Sequence, residues 1–151
     1  MPKAIISDAS CLIVLTNIGE LELLHEMYEQ IVTTTEVAEE FGLQLPEWIE
    51  IKKAVDKYRK LILEIQIDSG EASAIALALE FDESLLILDD YKARKVAEHL
   101  GLEITGTIGI IIKAKIRGLI PSIKPYLEKI RQTDFRMSDE LERLALKEAG
   151  E

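Results

Sequence analysis

Cysteine is almost missing from this sequence: Cys11 is the only one. That excludes an internal disulfide, a thiolate zinc site and a redox pair, and it suits a reducing, cytoplasmic setting. Histidine is scarce too, with only His25 and His99. Neither has another histidine or a cysteine at helical i, i+4 spacing, so both read as structural side chains. Long apolar runs are lacking. The longest are short stretches such as Ile108 to Ile112, broken by Gly109, well under the roughly 20 residues needed to cross a bilayer. Met1 to Ser10 lacks signal-peptide grammar, because Ser7 and Asp8 interrupt its apolar run. No repeat, linker or low-complexity stretch is present, and the length is near the commonest for one domain. The expectation is a single domain over residues 1–151, soluble, cytoplasmic and without membrane association.

Positive charge is the other shortage, 18 basic against 28 acidic side chains for a net −10. Such a balance argues at first against a nucleic-acid partner, which normally leaves a basic footprint. The distribution is uneven, however. Residues 1–91 carry 6 basic and 19 acidic side chains, whereas residues 92–131 carry 9 and 3. This second segment, from Lys92 and Arg94 to Arg131, reads equally as a solvated helical face and as a phosphate-facing surface.

The pattern of elements is that of an α/β protein. Lys3 to Ser7 predicts a strand, followed by a helix capped around Asp8 to Ser10. Gly19 to Glu29 predicts a helix, Ile31 to Thr34 a β-branched strand, and Glu36 to Phe41 a short helix stopped by Gly42. Pro46 to Leu61 carries mixed signals, and Ile62 to Ile67 alternates like a third strand. Ser69-Gly70 launches an Ala-rich helix from Glu71 to Phe81. Leu85 to Leu88 is continuously apolar, as in a strand buried on both faces, and Asp89-Asp90 opens a helix from Tyr91 to Leu100. A short strand, Leu102 to Thr105, and helices over 107–117, 121–131 and 138–147 complete the chain. The alternation predicts a doubly wound, mostly parallel sheet with helices on both faces.

In such a sheet all strand-to-helix junctions open on one edge. Asp8 and the pair Asp89/Asp90 end two strands, while Glu36 and Glu71 occupy first helical turns, so sequence-distant carboxylates become neighbours. Each alone has a bland explanation, since a first-turn acid gains about 0.3–1 kcal/mol from the helix dipole and an Asp N-cap about 1 kcal/mol. Gathering several raises their pKa values unless a cation neutralises them. Mg²⁺ or Mn²⁺ suits carboxylate oxygens, and a pair of such ions about 4 Å apart promotes in-line hydrolysis of a phosphodiester.

Four stretches carry a family resemblance: Ile5-Ile6-Ser7-Asp8-Ala9-Ser10-Cys11-Leu12-Ile13, Thr35-Glu36-Val37, Asp68-Ser69-Gly70-Glu71-Ala72-Ser73-Ala74-Ile75, and Leu86-Ile87-Leu88-Asp89-Asp90-Tyr91-Lys92-Ala93-Arg94. In order and spacing they resemble the PIN-domain superfamily, in a prokaryotic branch related to VapC-type toxin ribonucleases. Gly106-Thr107-Ile108-Gly109 and Phe135-Arg136-Met137-Ser138 extend the likeness almost end to end. The resemblance implies a three-layer α/β/α sandwich on a five-stranded sheet, an acidic Mg²⁺ or Mn²⁺ site, and cleavage of RNA. Carried over, Asp8, Glu36, Glu71 and Asp90 or Asp89 match the acidic positions, and Ser10 matches a supporting hydroxyl. Glu71 stands where the toxin pattern usually has Asp, and the fourth motif departs from Thr-x-Asp-x-Phe, which leaves Asp89 and Asp90 as alternatives. Lys92 and Arg94 are candidates to hold substrate phosphate, or to form salt bridges within the site.

Two functional readings follow. The first is a metal-dependent endoribonuclease, as the toxin of a toxin–antitoxin pair with an antitoxin protein as partner. The second is a catalytically weak PIN-like module that binds a protein or RNA. A phosphate-accepting receiver-like domain ranks third, because Thr105-Gly106-Thr107 stands where that class needs a lysine. The apolar stretches Leu12 to Leu15 and Ile108 to Ile112 read either as a homodimer surface or as ordinary core.

Overall fold

The computed structural model describes residues 3–151, so Met1 and Pro2 of the expected 1–151 domain lie outside the described residues. Five strands make one sheet: β1 Ala4–Ser7, β2 Ile31–Thr33, β3 Ile49–Ile51, β4 Ser84–Ile87 and β5 Glu103–Thr105. They are ordered β3-β2-β1-β4-β5, and all four pairings are parallel. Among the described residues the helices are α1 Ala9–Asn17, α2 Glu22–Tyr28, α3 Thr35–Phe41, α4 Lys57–Leu63, α5 Ser69–Ala78, α6 Tyr91–His99, α7 Thr107–Ile116, α8 Lys124–Arg131 and α9 Asp139–Glu148.

Side chains alternate across a strand, so neighbouring apolar residues feed two separate cores. Ile5, Ile31, Leu85 and Ile87 pack with residues of α1, α2, α7, α8 and α9. Ile6, Val32, Leu86 and Leu88 pack on the other face with residues of α4, α5 and α6. This is the expected three-layer α/β/α sandwich. Leu12, Val14, Leu15, Ile108 and Ile110–Ile112 are buried in the first core, with Ile13 partly buried against it, so both stretches serve mainly as core. His25 is structural, its ring stacked on Trp48 with centroids 4.8 Å apart.

One expected element is corrected. Ile62 to Ile67 is not a strand: α4 runs to Leu63, and the third strand, β3, lies within the segment whose signals were mixed. The alternation of Ile62, Glu64 and Gln66 is misleading. The buried pair is Leu63 and Ile67, four apart and on one helical face, whereas Ile62 and Ile65 are 65% and 82% exposed. Asp56 settles the matter locally, because its carboxylate accepts from the Tyr58 and Arg59 amides and starts the helix.

The strand order creates a crevice at one edge of the sheet. From β1 the chain steps outward to β2 and β3, then returns to place β4 on the opposite side of β1. Connections therefore diverge between β1 and β4, at the carboxyl edge where open α/β sheets hold their ligands.

Candidate functional site

Asp8 follows β1 directly at that divergence. Its amide donates to the Ile87 carbonyl at 3.0 Å, which pins the end of β1 to β4. It occupies the N-cap position of α1 with an extended backbone, yet its carboxylate makes no capping bond. The side chain is only 5% exposed, and its Oδ1 has no hydrogen-bond partner. Burial pushes its carboxyl up to about 7, the Ala9 amide offsets this in part, and the charges of Glu40, Asp68 and Asp89 push further.

Three carboxylates surround one point, marked by Gly70 in the first turn of α5. A Cβ on that residue would lie 2.9 Å from Glu40 Oε1, 3.6 Å from Asp8 Oδ1 and 3.7 Å from Asp68 Oδ1. Glycine leaves that space free. Glu40 comes from the last turn of α3, where partial burial and the Asp68 charge raise its pKa. Asp68 caps α5 by accepting from the Glu71 amide at 2.9 Å, and Glu71 Oε1 accepts from the Asp68 amide at 3.3 Å.

Glu71 is buried because α5 is buried on every side, from Gly70 to Ala78. Small Gly, Ala and Ser side chains let neighbouring elements approach the helix closely. Burial, followed by the charges of Asp68, Asp90 and Asp8, pushes the Glu71 carboxyl up to about 7. A 330 Å³ cavity joins Glu71, Asp68 and Asp90 to Lys92, which is exposed at its wall.

The two aspartates after β4 part company. Asp89 accepts from the Thr107 amide at 2.8 Å through Oδ1 and from the Thr107 hydroxyl at 2.6 Å through Oδ2. Both its oxygens thus anchor α7. Asp90 caps α6 through Oδ2, which accepts from the Ala93 amide at 3.0 Å. Arg94 donates to the Leu88 carbonyl at 2.9 Å and packs beside Gly106 and Asp89, so it braces the β4–α6 turn. Ser10 is half-buried in the first turn of α1.

Glu36 stands at the margin of the group. Its carboxylate pairs with Lys60 of α4 at 2.8 Å; burial works to raise its pKa, but the Lys60 bond and charge outweigh that and lower it. Glu40, one turn further along α3, is the residue of that helix that approaches Asp8. Sequence reading singled out neither Glu40 nor Asp68. The available signals were the i, i+4 spacing of Glu36 and Glu40, which share a face, and the Asp68-x-x-Glu71 capping pattern.

A family model described as a PIN domain matches residues 4–151. The chain belongs to the PIN-domain family. PIN domains are in general nucleases that act on nucleic acids and use divalent metal ions. Comparison with curated proteins and with solved structures finds no match. No helix among the described residues is long and apolar enough to cross a membrane.

The PIN domain's residues fit a hard cation. Among the described residues no three acidic, His or Cys side chains form a ready-made ligand shell. The oxygens that surround Gly70 nevertheless include one, on Asp8, that is buried and lacks any donor. A buried carboxylate oxygen without a donor is costly, and a divalent ion is the partner that all-oxygen, acid-rich surroundings suit.

Proposed function

We propose that this PIN domain is a Mg²⁺- or Mn²⁺-dependent endoribonuclease that hydrolyses RNA phosphodiester bonds. The observation that carries the reading is the donorless, buried Asp8 Oδ1, facing Glu40 and Asp68 at the divergence between β1 and β4. Asp8, Glu40, Asp68, Glu71 and Asp90 are the residues we assign to hold the cation. Asp89 is assigned to anchor α7, and Glu36 to position α4 through Lys60, with Ser10 supporting the first turn beside Asp8. When bound, a divalent cation supplies charge neutralisation at phosphorus and eases ionisation of the attacking water.

The chain's own groups supply the rest. In the cation-free protein the Asp8 and Glu71 carboxyls are held near 7, so at neutral pH the site takes up its cation in competition with protons. The carbonyl brace from Arg94 keeps Asp89 and Asp90 in register, and exposed Lys92 lies where a substrate phosphate would meet the Glu71–Asp90 cavity. A single unit over residues 1–151, acting in the cytoplasm as the toxin of a toxin–antitoxin pair, is the setting this reading favours.

One observation favours a second reading, a catalytically weak module that binds RNA or protein. Oxygens of Glu71, Asp89 and Asp90 already serve as caps and anchors, so the carboxylates have structural work independent of any cation. The test uses chelator-stripped protein given Mg²⁺ or Mn²⁺ and single-stranded RNA, beside Asp8→Asn. Cation-dependent cleavage lost in the variant supports the nuclease; RNA binding without cleavage in either protein supports the module. Mn²⁺ should raise the melting temperature of the native protein and not of Asp8→Asn.

A further inference from the structure

Five of the six basic residues among the first 91 fall between Lys52 and Lys60, just beyond β3 and in α4. Three of them, Lys53, Lys57 and Lys60, line a 510 Å³ cavity with Thr34, Thr35 and Ser73. Lys60 is engaged by Glu36, whereas Lys53 and Lys57 are exposed and pair with no carboxylate among the described residues. Two unpaired ammonium groups in one concave surface are notable within the most acidic part of the chain.

The cavity's position gives those charges a use. Thr34 follows β2 and Lys53 follows β3 closely, so the cavity opens on the same carboxyl edge as Asp8. Adjacent strands lie about 4.8 Å apart, which puts β3 about 10 Å from β1, a short step for an extended polynucleotide. Glu36 and Glu39 belong both to this cavity and to a second one that contains Glu40, Asp68 and Gly70. The lysine-lined cavity and the carboxylate cluster thus adjoin across Glu36 and Glu39, and Lys60 neutralises Glu36 at the junction.

We propose that Lys53 and Lys57 seat a backbone phosphate of single-stranded RNA on the β2–β3 side of the cleavage site, while Glu36–Lys60 forms the wall between the two. The inference rests on the nuclease reading. Lysine serves here as a flexible point charge toward a phosphodiester, with the cavity setting where the strand lies. This flank is separate from the basic segment 92–131, so the strand enters over β2 and β3.

The test measures binding of a labelled single-stranded oligoribonucleotide in Mg²⁺, with Asp8→Asn present in every protein to stop cleavage. Lys53→Gln with Lys57→Gln should weaken binding on the order of tenfold and make the slope of log K against log salt shallower by about 0.7 for each phosphate no longer neutralised. A control pair on exposed parts of α8 and α9, Lys124→Gln with Lys147→Gln, removes the same charge and should leave both quantities near the starting values. In the cleaving protein the Lys53/Lys57 pair should raise KM and leave kcat within about twofold. Native RNA binding with equal effects of the two pairs overturns this inference alone. Loss of binding to poly-glutamate with RNA binding unchanged also overturns it, and marks the cavity as a protein-docking site. Failure of the starting protein to bind RNA overturns this inference, and absence of cation-dependent cleavage by the native protein overturns the nuclease reading with it.

Discussion

The ends of β1 and β4 lie side by side, and each carries an aspartate with a different fate. After β4, Asp89 receives two donors from Thr107 and holds α7 in place. After β1, Asp8 is more deeply buried, caps nothing, and keeps an oxygen without a donor. Position after a parallel strand brings both to the same crevice. What separates them is the donor supply: the Gly106–Thr107 turn comes up against β4, whereas Glu40, Asp68 and Gly70 come up against Asp8 and bring further negative charge. One aspartate is committed to the fold, and the other keeps an oxygen uncommitted, which is why we assign it to the cation.

The strongest way to break that contrast is to neutralise each in turn. Asp8→Asn should lower cation-dependent RNA cleavage at least 100-fold, a loss comparable to removal of a principal electrostatic group at a reacting centre, read from initial rates. In chelator-treated protein the same substitution should leave stability unchanged or higher above pH 7, because it removes a buried charge without removing a donor–acceptor pair. Asp89→Ala should behave oppositely. It removes two charge-assisted bonds to Thr107, costing about 2–4 kcal/mol in urea melts, with the Mn²⁺ stabilisation retained in the protein that stays folded.

A pH series sharpens the comparison. Asp8 and Glu71 have folded-state pKa values raised to about 7, above those of the unfolded chain. The folded protein therefore holds protons that the unfolded chain has released. Their contribution to the stability of the cation-free protein should be fully present below the unfolded values, around pH 4, and be lost progressively as the pH rises through 7, read from urea melts across that range. Asp8→Asn should flatten this dependence far more than Asp89→Asn, which removes only one of the charges that raise Asp8.

Gly70→Ala probes the point where the three carboxylates meet. The new Cβ would sit 2.9 Å from Glu40 Oε1 and force that side chain aside, while the helix itself gains from alanine. Weaker Mn²⁺ binding by calorimetry, with thermal stability held or raised, is the expected result. The smallest effect belongs to Glu36→Gln. Its bond with Lys60 is partly solvated, so the loss should stay within about 1 kcal/mol, with cleavage reduced far less than in Glu40→Gln.

Much of this was legible in the residues. Leu85 to Leu88 announced a strand covered on both faces, and the β-branched Ile31-Val32-Thr33 announced another, because burial of a parallel sheet demands continuous apolar runs. Asp8 and Glu71 stood out by type and by place. Glu40 did not, because Glu36 and Glu40 are equivalent on a helix drawn from sequence; only the packing of α3 against α5 shows which of them faces Gly70. Asp68 was hidden by its capping role, and β3 by a two-residue alternation at Ile62 to Ile67 that belongs to a helix end.

By itself, then, the sequence determined that strands and helices alternate, that aspartates follow β1 and β4, and that no sulfur or histidine site competes with them. Tertiary structure decided which carboxylate finds a donor and which does not. Hydrogen-bond partners for those groups come from beyond the local segment, such as Thr107, 18 positions from Asp89, and local propensity carries no information about them. Only the sheet order, with β5 laid beside β4 and the carboxylate-bearing α3 and α5 beside β1, brings such a donor to one aspartate and further acids to the other.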